Sequence, residues 1–338
     1  MINDQGLYPV YGGNGLRGFT GSYNHDGDYI LIGRQGALCG NVRKVTGKTY
    51  VTEHAIAVCA SKEHETTFLQ HLFQKMRLGQ YSDQSAQPGL AVNKLLRLNI
   101  NVPSKIEQGK IAKILSLIDE RITTQNKIIE DLKKLKSAIV EMLLCNQSGE
   151  SFKLGDVGCY VRGLTYANED VTENKAATIV IRANNLNYGS HVDKREVVYV
   201  NKTPTVSQIL RKGDIVICMA NGSSTLVGKN SYYPFNDRQS TIGAFCGIYR
   251  TSNPLVKWLM QSQRYKRQVY QSLQGGNGAI ANLNGDDILN MSFPLIEKEK
   301  SQSIIFTIEA IEKSLVANKY IHRLYYTQKS YLLKQMFI

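Results

Sequence analysis

Gly13-Asn14-Gly15-Leu16-Arg17-Gly18 is a literal Gly-x-Gly-x-x-Gly. In a dinucleotide site such glycines close a strand, admit a pyrophosphate and open a helix whose N-terminus holds it. Here Phe19-Thr20-Gly21-Ser22 follows, which does not open a helix, so the stretch is read as a turn. No Walker A sequence occurs. Nor is there an Asn-Pro-Pro-Tyr-like tetrapeptide of the kind amino-methyltransferases use to hold a flipped base; Asn253-Pro254-Leu255 is not one. No paired-carboxylate nuclease signature stands out. Glu53 beside His54 could do acid–base work, but a single such pair is read as a structural or DNA-facing group. The six cysteines are scattered without a Cys-x-x-Cys pair, and the six histidines are equally dispersed. That spacing argues against zinc and for reduced thiols in a cytoplasmic protein. The expectation is a chain with no catalytic residue and no metal ligand of its own.

The positive signal is a set of polar, Gly-bearing loops that follow short apolar strands. Asp28–Ile32 enters Gly33-Arg34-Gln35-Gly36, Ala177–Ile181 enters Arg182-Ala183-Asn184-Asn185, and Asp214–Cys218 enters Asn221-Gly222-Ser223-Ser224. Asn and Gln bond adenine bidentately, Arg does so to guanine, and Gly lets a backbone approach a phosphate. Arg34, Gln35, Asn184, Asn221 and Gln239 are the expected base readers. Lys75, Arg77, Arg264, Lys266 and Arg267, on helical stretches, are the expected phosphate contacts. Asn14, Arg17, His54, Arg162, Arg182, Ser223, Arg238 and Asn277 complete the candidate DNA-binding set. The net charge of +13 suits a polyanionic partner.

Two long helices must organise these loops. From Ile111, apolar residues return at alternating steps of four and three: Leu115, Ile118, Ile122, then Ile129 and Leu132, with Gln125 and Lys136 as polar interruptions. The second series is Ile304, Ile308, Ile311, Leu315, Asn318, His322, Tyr325, Lys329, Leu332. Gln125 answers Asn318, and Lys136 answers Lys329. Each helix, at ~40 residues and ~1.5 Å per residue, is longer than a domain is wide and reads as a spacer. The globular stretches before the helices echo each other too: Gly33–Gly40 answers the stretch around Asn221–Gly228, and Thr52–Ala55 answers Thr241–Ala244. The segment Phe152–Asn174 has no counterpart near the start, so the first domain is expected to lack an opening strand and to leave a sheet edge unpaired. The fold class is α+β: two duplicated mixed α/β domains (1–103 and 146–294), each followed by a long helix (104–145 and 295–338), the helices pairing as an antiparallel coiled coil. At 338 residues, 42% hydrophobic and 20% charged, the chain suits a globular protein; no apolar run approaches a membrane span and no signal peptide opens it.

Tyr8-Pro9-Val10-Tyr11-Gly12-Gly13-Asn14-Gly15, Ile32-Gly33-Arg34-Gln35-Gly36-Ala37, Glu107-Gln108-Gly109-Lys110-Ile111-Ala112 and Leu333-Lys334-Gln335-Met336-Phe337, in this order and with the duplication, resemble the specificity subunits of type I restriction–modification systems. The resemblance implies two target-recognition domains, each reading one half of a bipartite site on double-stranded DNA. It implies helices that set the half-site spacing and dock two methyltransferase subunits, with restriction subunits joining the full complex. S-adenosylmethionine, ATP and magnesium then belong to the partners, and this chain binds no cofactor. A self-contained nuclease or methyltransferase and a protein-only coiled-coil adaptor are the alternatives.

Overall fold

The structure is a computed structural model that describes residues 5–83, 88–146, 149–273 and 281–337. Its elements begin with β1 (Tyr8–Gly12), β2 (Gly15–Thr20), β3 (Asp28–Gly33), β4 (Val42–Thr46), β5 (Tyr50–Val51), β6 (Ala55–Val58), α1 (Thr66–Met76), α2 (Val92–Leu96) and the long α3 (Lys105–Val140). There follow β7 (Ser151–Lys153), α4 (Leu154–Val157), β8 (Gly158–Arg162), β9 (Val171–Thr172), β10 (Thr178–Ile181), β11 (Val198–Val200), β12 (Ile215–Cys218), β13 (Ala220–Asn221) and β14 (Asn230–Tyr232). The chain closes with β15 (Ser240–Ile242), β16 (Cys246–Thr251), α5 (Val256–Leu259), α6 (Gln263–Leu273), β17 (Ala281–Asn282), α7 (Gly285–Leu289), β18 (Ser292–Pro294) and the long α8 (Lys298–Met336). Two compact units result: Met1–Ile129 with Ala317–Ile338, and Glu130–Val316. Among the described residues no helix is long and apolar enough to cross a membrane.

In the first unit β3 carries the unbroken run Tyr29-Ile30-Leu31-Ile32, as a strand covered on both faces does. Ile30 and Ile32 pack with Phe68, Leu69 and Leu72 of α1, with Leu115 of α3 and with Phe337. Leu31 turns to the other face, against Val45 and Val51. β4 and β6 flank β3, both antiparallel. A second sheet runs β2-β1-β5, with β1 and β5 parallel. α1 starts where the Glu65 carboxylate accepts the Phe68 N–H at 2.8 Å and ends at Arg77 in the left-handed region, φ 49°. α3 opens on the Ser104–Glu107 capping box, whose donors are the Ser104 N–H to Glu107 Oε2 at 3.2 Å and the Glu107 N–H to Ser104 Oγ at 3.4 Å. The α8 segment of this unit lies antiparallel to α3: Lys329 meets Asp119 at 2.6 and 2.8 Å, and Gln125 Nε2 donates to Asn318 Oδ1 at 2.5 Å. Leu115, Ile118, Ile122, Gln125 and Ile129 are buried, while Ile111, Tyr325 and Leu332 are half-buried.

The second unit has four-stranded sheets ordered β15-β10-β11-β9 and β14-β12-β16-β8, with the pairs β13-β17 and β18-β7. Its core gathers Ile215, Ile217, Tyr249, Val256, Trp258, Tyr265, Leu144 and Ile308. Trp258, fully buried, donates its indole N–H to Glu312 at 3.0 Å, and Lys136 meets the same carboxylate at 2.7 Å. Burial pulls the Glu312 carboxyl up, but Lys136 and the indole outweigh it and hold it below the usual range. Of the seam residues here, Ile304, Ile308 and Leu315 are buried and Leu132 and Ile311 half-buried. The single helix expected over Val256–Val269 is two, α5 and α6. Ser262, whose Oγ accepts the Tyr265 N–H at 3.1 Å, stops one and starts the other.

Backbone hydrogen bonds fix how the two units correspond. Gly40 (φ 81°) donates to Gly33 at 2.7 Å as Gly228 (φ 80°) does to Cys218 at 2.8 Å. Leu90 donates to Arg34 as Leu283 does to Met219, each at 2.8 Å. Thr52 donates to Tyr11 and Gly243 to Ile181, so Thr52 answers Gly243 and not Thr241. The displacement arises because the stretch from Gly40 to Thr52 is shorter than that from Gly228 to Gly243. Strand coverage also differs. β16 lies between β12 and β8, and β11 between β10 and β9. Among the described residues β6 pairs with β3 alone and β2 with β1 alone.

Candidate nucleic-acid interface

In each unit three loops converge: one after β1 or β10, one after β3 or β12, and one before β6 or β16. In the second unit they line a cavity of about 430 Å³ formed by Tyr166, Asn168, Arg182, Asn184, Asn221, Ala244 and Phe245, among others. Asn185 builds its first wall from beneath. Buried, it accepts the Arg182 N–H at 2.9 Å and donates to the carbonyls of Asp193 and Glu196 at 3.0 and 2.8 Å. With that amide satisfied inward, Arg182 and Asn184 remain exposed. Asn221 accepts the Ser223 N–H at 2.9 Å in an Asx turn, and Ser223 Oγ bonds Thr225 at 2.8 Å. Phe245 is 69% exposed at the rim.

The first unit repeats the construction. Gly13 sits against its partners so closely that a Cβ there would lie 2.9 Å from the His54 carbonyl and within 4 Å of Gln35 and Arg34. This close approach, not a pyrophosphate, is what the glycine of the turn serves. His54 Nδ1 contacts Gln35 Oε1 at 3.0 Å, and its Nε2 lies 3.2 Å from Glu53. Asn14, Arg17 and Arg34 are exposed around them. The hydrogen-bond correspondence puts Asn14 in the place of Asn184, and His54 in the place of Phe245.

Some expected contacts do other work. Arg264 donates Nε–H to the Ser292 carbonyl at 2.9 Å, holding β18 to α6. Gln239 donates to the carbonyls of Lys175 and Ala177 at 3.2 and 2.9 Å, bracing the entry to β10. In both, a polar side chain beside a strand end meets backbone carbonyls that need a donor. Lys266 lies over the Tyr188 ring at 4.9 Å, beside a different cavity, and Lys75 lies 5.9 Å from the Phe337 ring. Arg77, Arg267, Arg162 and Arg238 are exposed but do not line the loop cavity. Asn277 lies outside the described residues. Sequence reasoning missed Phe245, Tyr166, Asn168 and Arg43, whose guanidinium approaches Gly15. An aromatic placed after Gly243-Ala244 was the available signal for the first. Among the described residues no three His, Cys, Asp or Glu side chains group so as to hold a metal ion.

The family model for the type I restriction modification DNA specificity domain matches residues 1–134. The match spans the first unit's loops and most of α3. The type I restriction enzyme EcoprrI specificity subunit of Escherichia coli is 46% identical over 132 residues, 39% of this chain and 32% of that protein. The chain therefore matches about a third of that relative's length. A putative type I restriction enzyme specificity subunit of Haemophilus influenzae is 22% identical over 343 residues, 92% of this chain and 82% of the relative. In fold, the chain is similar to a type I restriction–modification S subunit from M. genitalium, with a TM-score of 0.64 at 17% identity over 100% of this chain and 90% of that one.

Proposed function

We propose that this chain is the DNA-specificity subunit of a type I restriction–modification complex, with each unit reading one half of a bipartite site. The observation that carries the reading is the same three-loop cluster built twice on a chain that opens with a specificity domain. Asn14 and Asn184 stand at equivalent points of the two clusters, flanked by Arg17 and Arg34 in one and Arg182 in the other. An amide that can pair with adenine beside a guanidinium that can pair with guanine or phosphate is the chemistry of groove readout. Chemistry on the DNA is assigned to partners: two methyltransferase subunits that use S-adenosylmethionine, and restriction subunits that use ATP and magnesium. α3 and α8 each contribute to both units and would set the half-site separation. Outside their seams, Ile114, Leu117 and Ile128 on α3 and Tyr320, Leu324 and Tyr331 on α8 are exposed, an apolar surplus suited to docking the methyltransferase subunits. The setting would be the cytoplasm.

The test is a methylome of cells that carry this chain with its methyltransferase partner. A bipartite motif that changes in one half on Asn14→Ala and in the other on Asn184→Ala is the expected result. Methyl transfer by the purified chain alone, or no DNA binding even with the partner, would overturn the proposal.

A further inference from the structure

His54 and Gln35 are held side by side by the backbone. The Arg34 N–H donates to the His54 carbonyl at 2.9 Å, and Gln35 bridges to Gly89. On this fixed frame the half-buried His54 ring stands between two exposed side chains. Its Nδ1 is 3.0 Å from Gln35 Oε1, and its Nε2 is 3.2 Å from Glu53 Oε1. Both ring nitrogens therefore face oxygen. A neutral imidazole carries one N–H and cannot donate to both, whereas an imidazolium can.

An ionised carboxylate only accepts, so beside Glu53 a neutral ring keeps its proton on Nε2 and turns the Nδ1 lone pair to Gln35. That lone pair repels Oε1. Half a turn of the Gln35 amide brings its N–H₂ to the ring instead and sends Oε1 outward. Ring charge and amide direction are thus coupled: the protonated ring leaves the Gln35 N–H₂ facing out, and the neutral ring leaves the carbonyl oxygen facing out. In the major groove every base pair shows one amino group and one carbonyl oxygen, adenine N6 with thymine O4 or cytosine N4 with guanine O6. The outward end of the amide decides which of the two it meets, and so which way round the pair is read.

We propose, resting on the reading that this loop cluster meets DNA bases, that His54 is a positioning residue for Gln35: it sets the direction of the amide, and proton uptake by the ring reverses the preferred order of one base pair in the first half-site. The neutral ring selects an amino group, the imidazolium a carbonyl oxygen. The second unit is built without this device. Phe245 stands in the place of His54, and Ala220, paired with Asn282 as Gln35 is with Gly89, stands in the place of Gln35. The other charged side chains on segments packed about the ring are Arg34 beside Gln35, and Arg17 and Arg43 along the β1–β2 turn. Variants at His54 and Glu53 separate the ring's charge from theirs.

The experiment uses the full chain with its methyltransferase partner and labelled duplexes carrying the recognised site, with each base pair of the first half-site reversed in turn. Anisotropy titrations are run at about pH 8 and about pH 5.5, a range across which histidine changes charge, at one ionic strength. Loss of discrimination on Gln35→Ala marks the position that Gln35 reads. There the affinity ratio between the two orders of the pair should change by ~3–10-fold between the two pH values, the worth of one hydrogen bond. In His54→Ala the ratio should no longer depend on pH. Glu53→Gln, which frees a neutral ring to carry its proton on Nδ1, should shrink the change. No position that depends on Gln35, a ratio indifferent to pH, or the same pH dependence in His54→Ala would each overturn the inference while leaving the chain a reader of DNA. Binding that ignores sequence throughout the site would overturn that reading along with it.

Discussion

His71 is buried, and neither ring nitrogen has a hydrogen-bond partner among the described residues; the nearest carboxylate oxygen, of Asp119, is 3.9 Å away. Burial first, then the charge of Lys329, holds the imidazolium form down against the pull of Asp119. With the folded value below the ordinary 6.5, the unfolded chain takes up the proton first. The stability tied to the neutral ring is therefore full above 6.5 and is lost as the pH falls from there through the folded value. Denaturant midpoints at about pH 7.5 and about pH 5 should diverge for the native chain and converge for His71→Leu. Arg77 holds a left-handed backbone at the end of α1, where a side chain costs ~1–2 kcal/mol. Arg77→Gly should accordingly raise stability by about 1 kcal/mol. Arg264→Ala removes one of two donors to the Ser292 carbonyl, Gln268 Nε2 remaining at 3.2 Å, and should cost about 0.5–1.5 kcal/mol in melts while leaving the DNA affinity of the folded fraction unchanged. A uniform loss of affinity across sequences with a shallower salt slope would instead return Arg264 to the phosphate contacts. The difference between Arg264 and Arg182 was not legible in sequence. Both are arginines beside apolar runs, and only the position of an unbonded carbonyl in the fold separates them.

The long helices were the most legible elements, because heptad spacing is local and needs no knowledge of the partner. Even the polar interruptions paired as their positions suggested: Gln125 Nε2 reaches Asn318 Oδ1 inside the first unit. A buried amide pair fixes register, since a slip sets an amide against carbon. Gln125→Leu or Asn318→Leu alone should cost ~1–3 kcal/mol, and the double change less than the sum of the singles. Additive melts would mean that the amides do not act as a pair. The lysine interruptions did something unforeseen. Lys136 and Lys329 each pair with an acid on the other helix within their own unit, Glu312 and Asp119. Where reading failed, length was the cause. Unequal stretches after Gly40 and Gly228 moved the apparent equivalence of Thr52, and a single Ser262 divided what periodicity joined.

Across the molecule, the surplus of 41 Lys and Arg over 28 Asp and Glu should make DNA binding by the complex steeply salt-dependent. Phe245→Ala, which removes an exposed ring from the rim of the cavity, should weaken binding by ~1–3 kcal/mol if the ring stacks on or wedges beside a base. An unchanged affinity in fluorescence anisotropy would leave Phe245 outside the interface. One feature of the second unit also makes the chain its own optical instrument. Its single tryptophan is Trp258, sealed in that unit's core and bonded to Glu312. Blue emission therefore reports the folded state of Glu130–Val316 and is blind to the opening of the other unit, whereas far-ultraviolet dichroism counts helix in both. A denaturant titration followed by both signals separates the two unfolding events without a label, and a ligand that tightens only the first unit will shift the dichroism curve while the tryptophan curve stays in place.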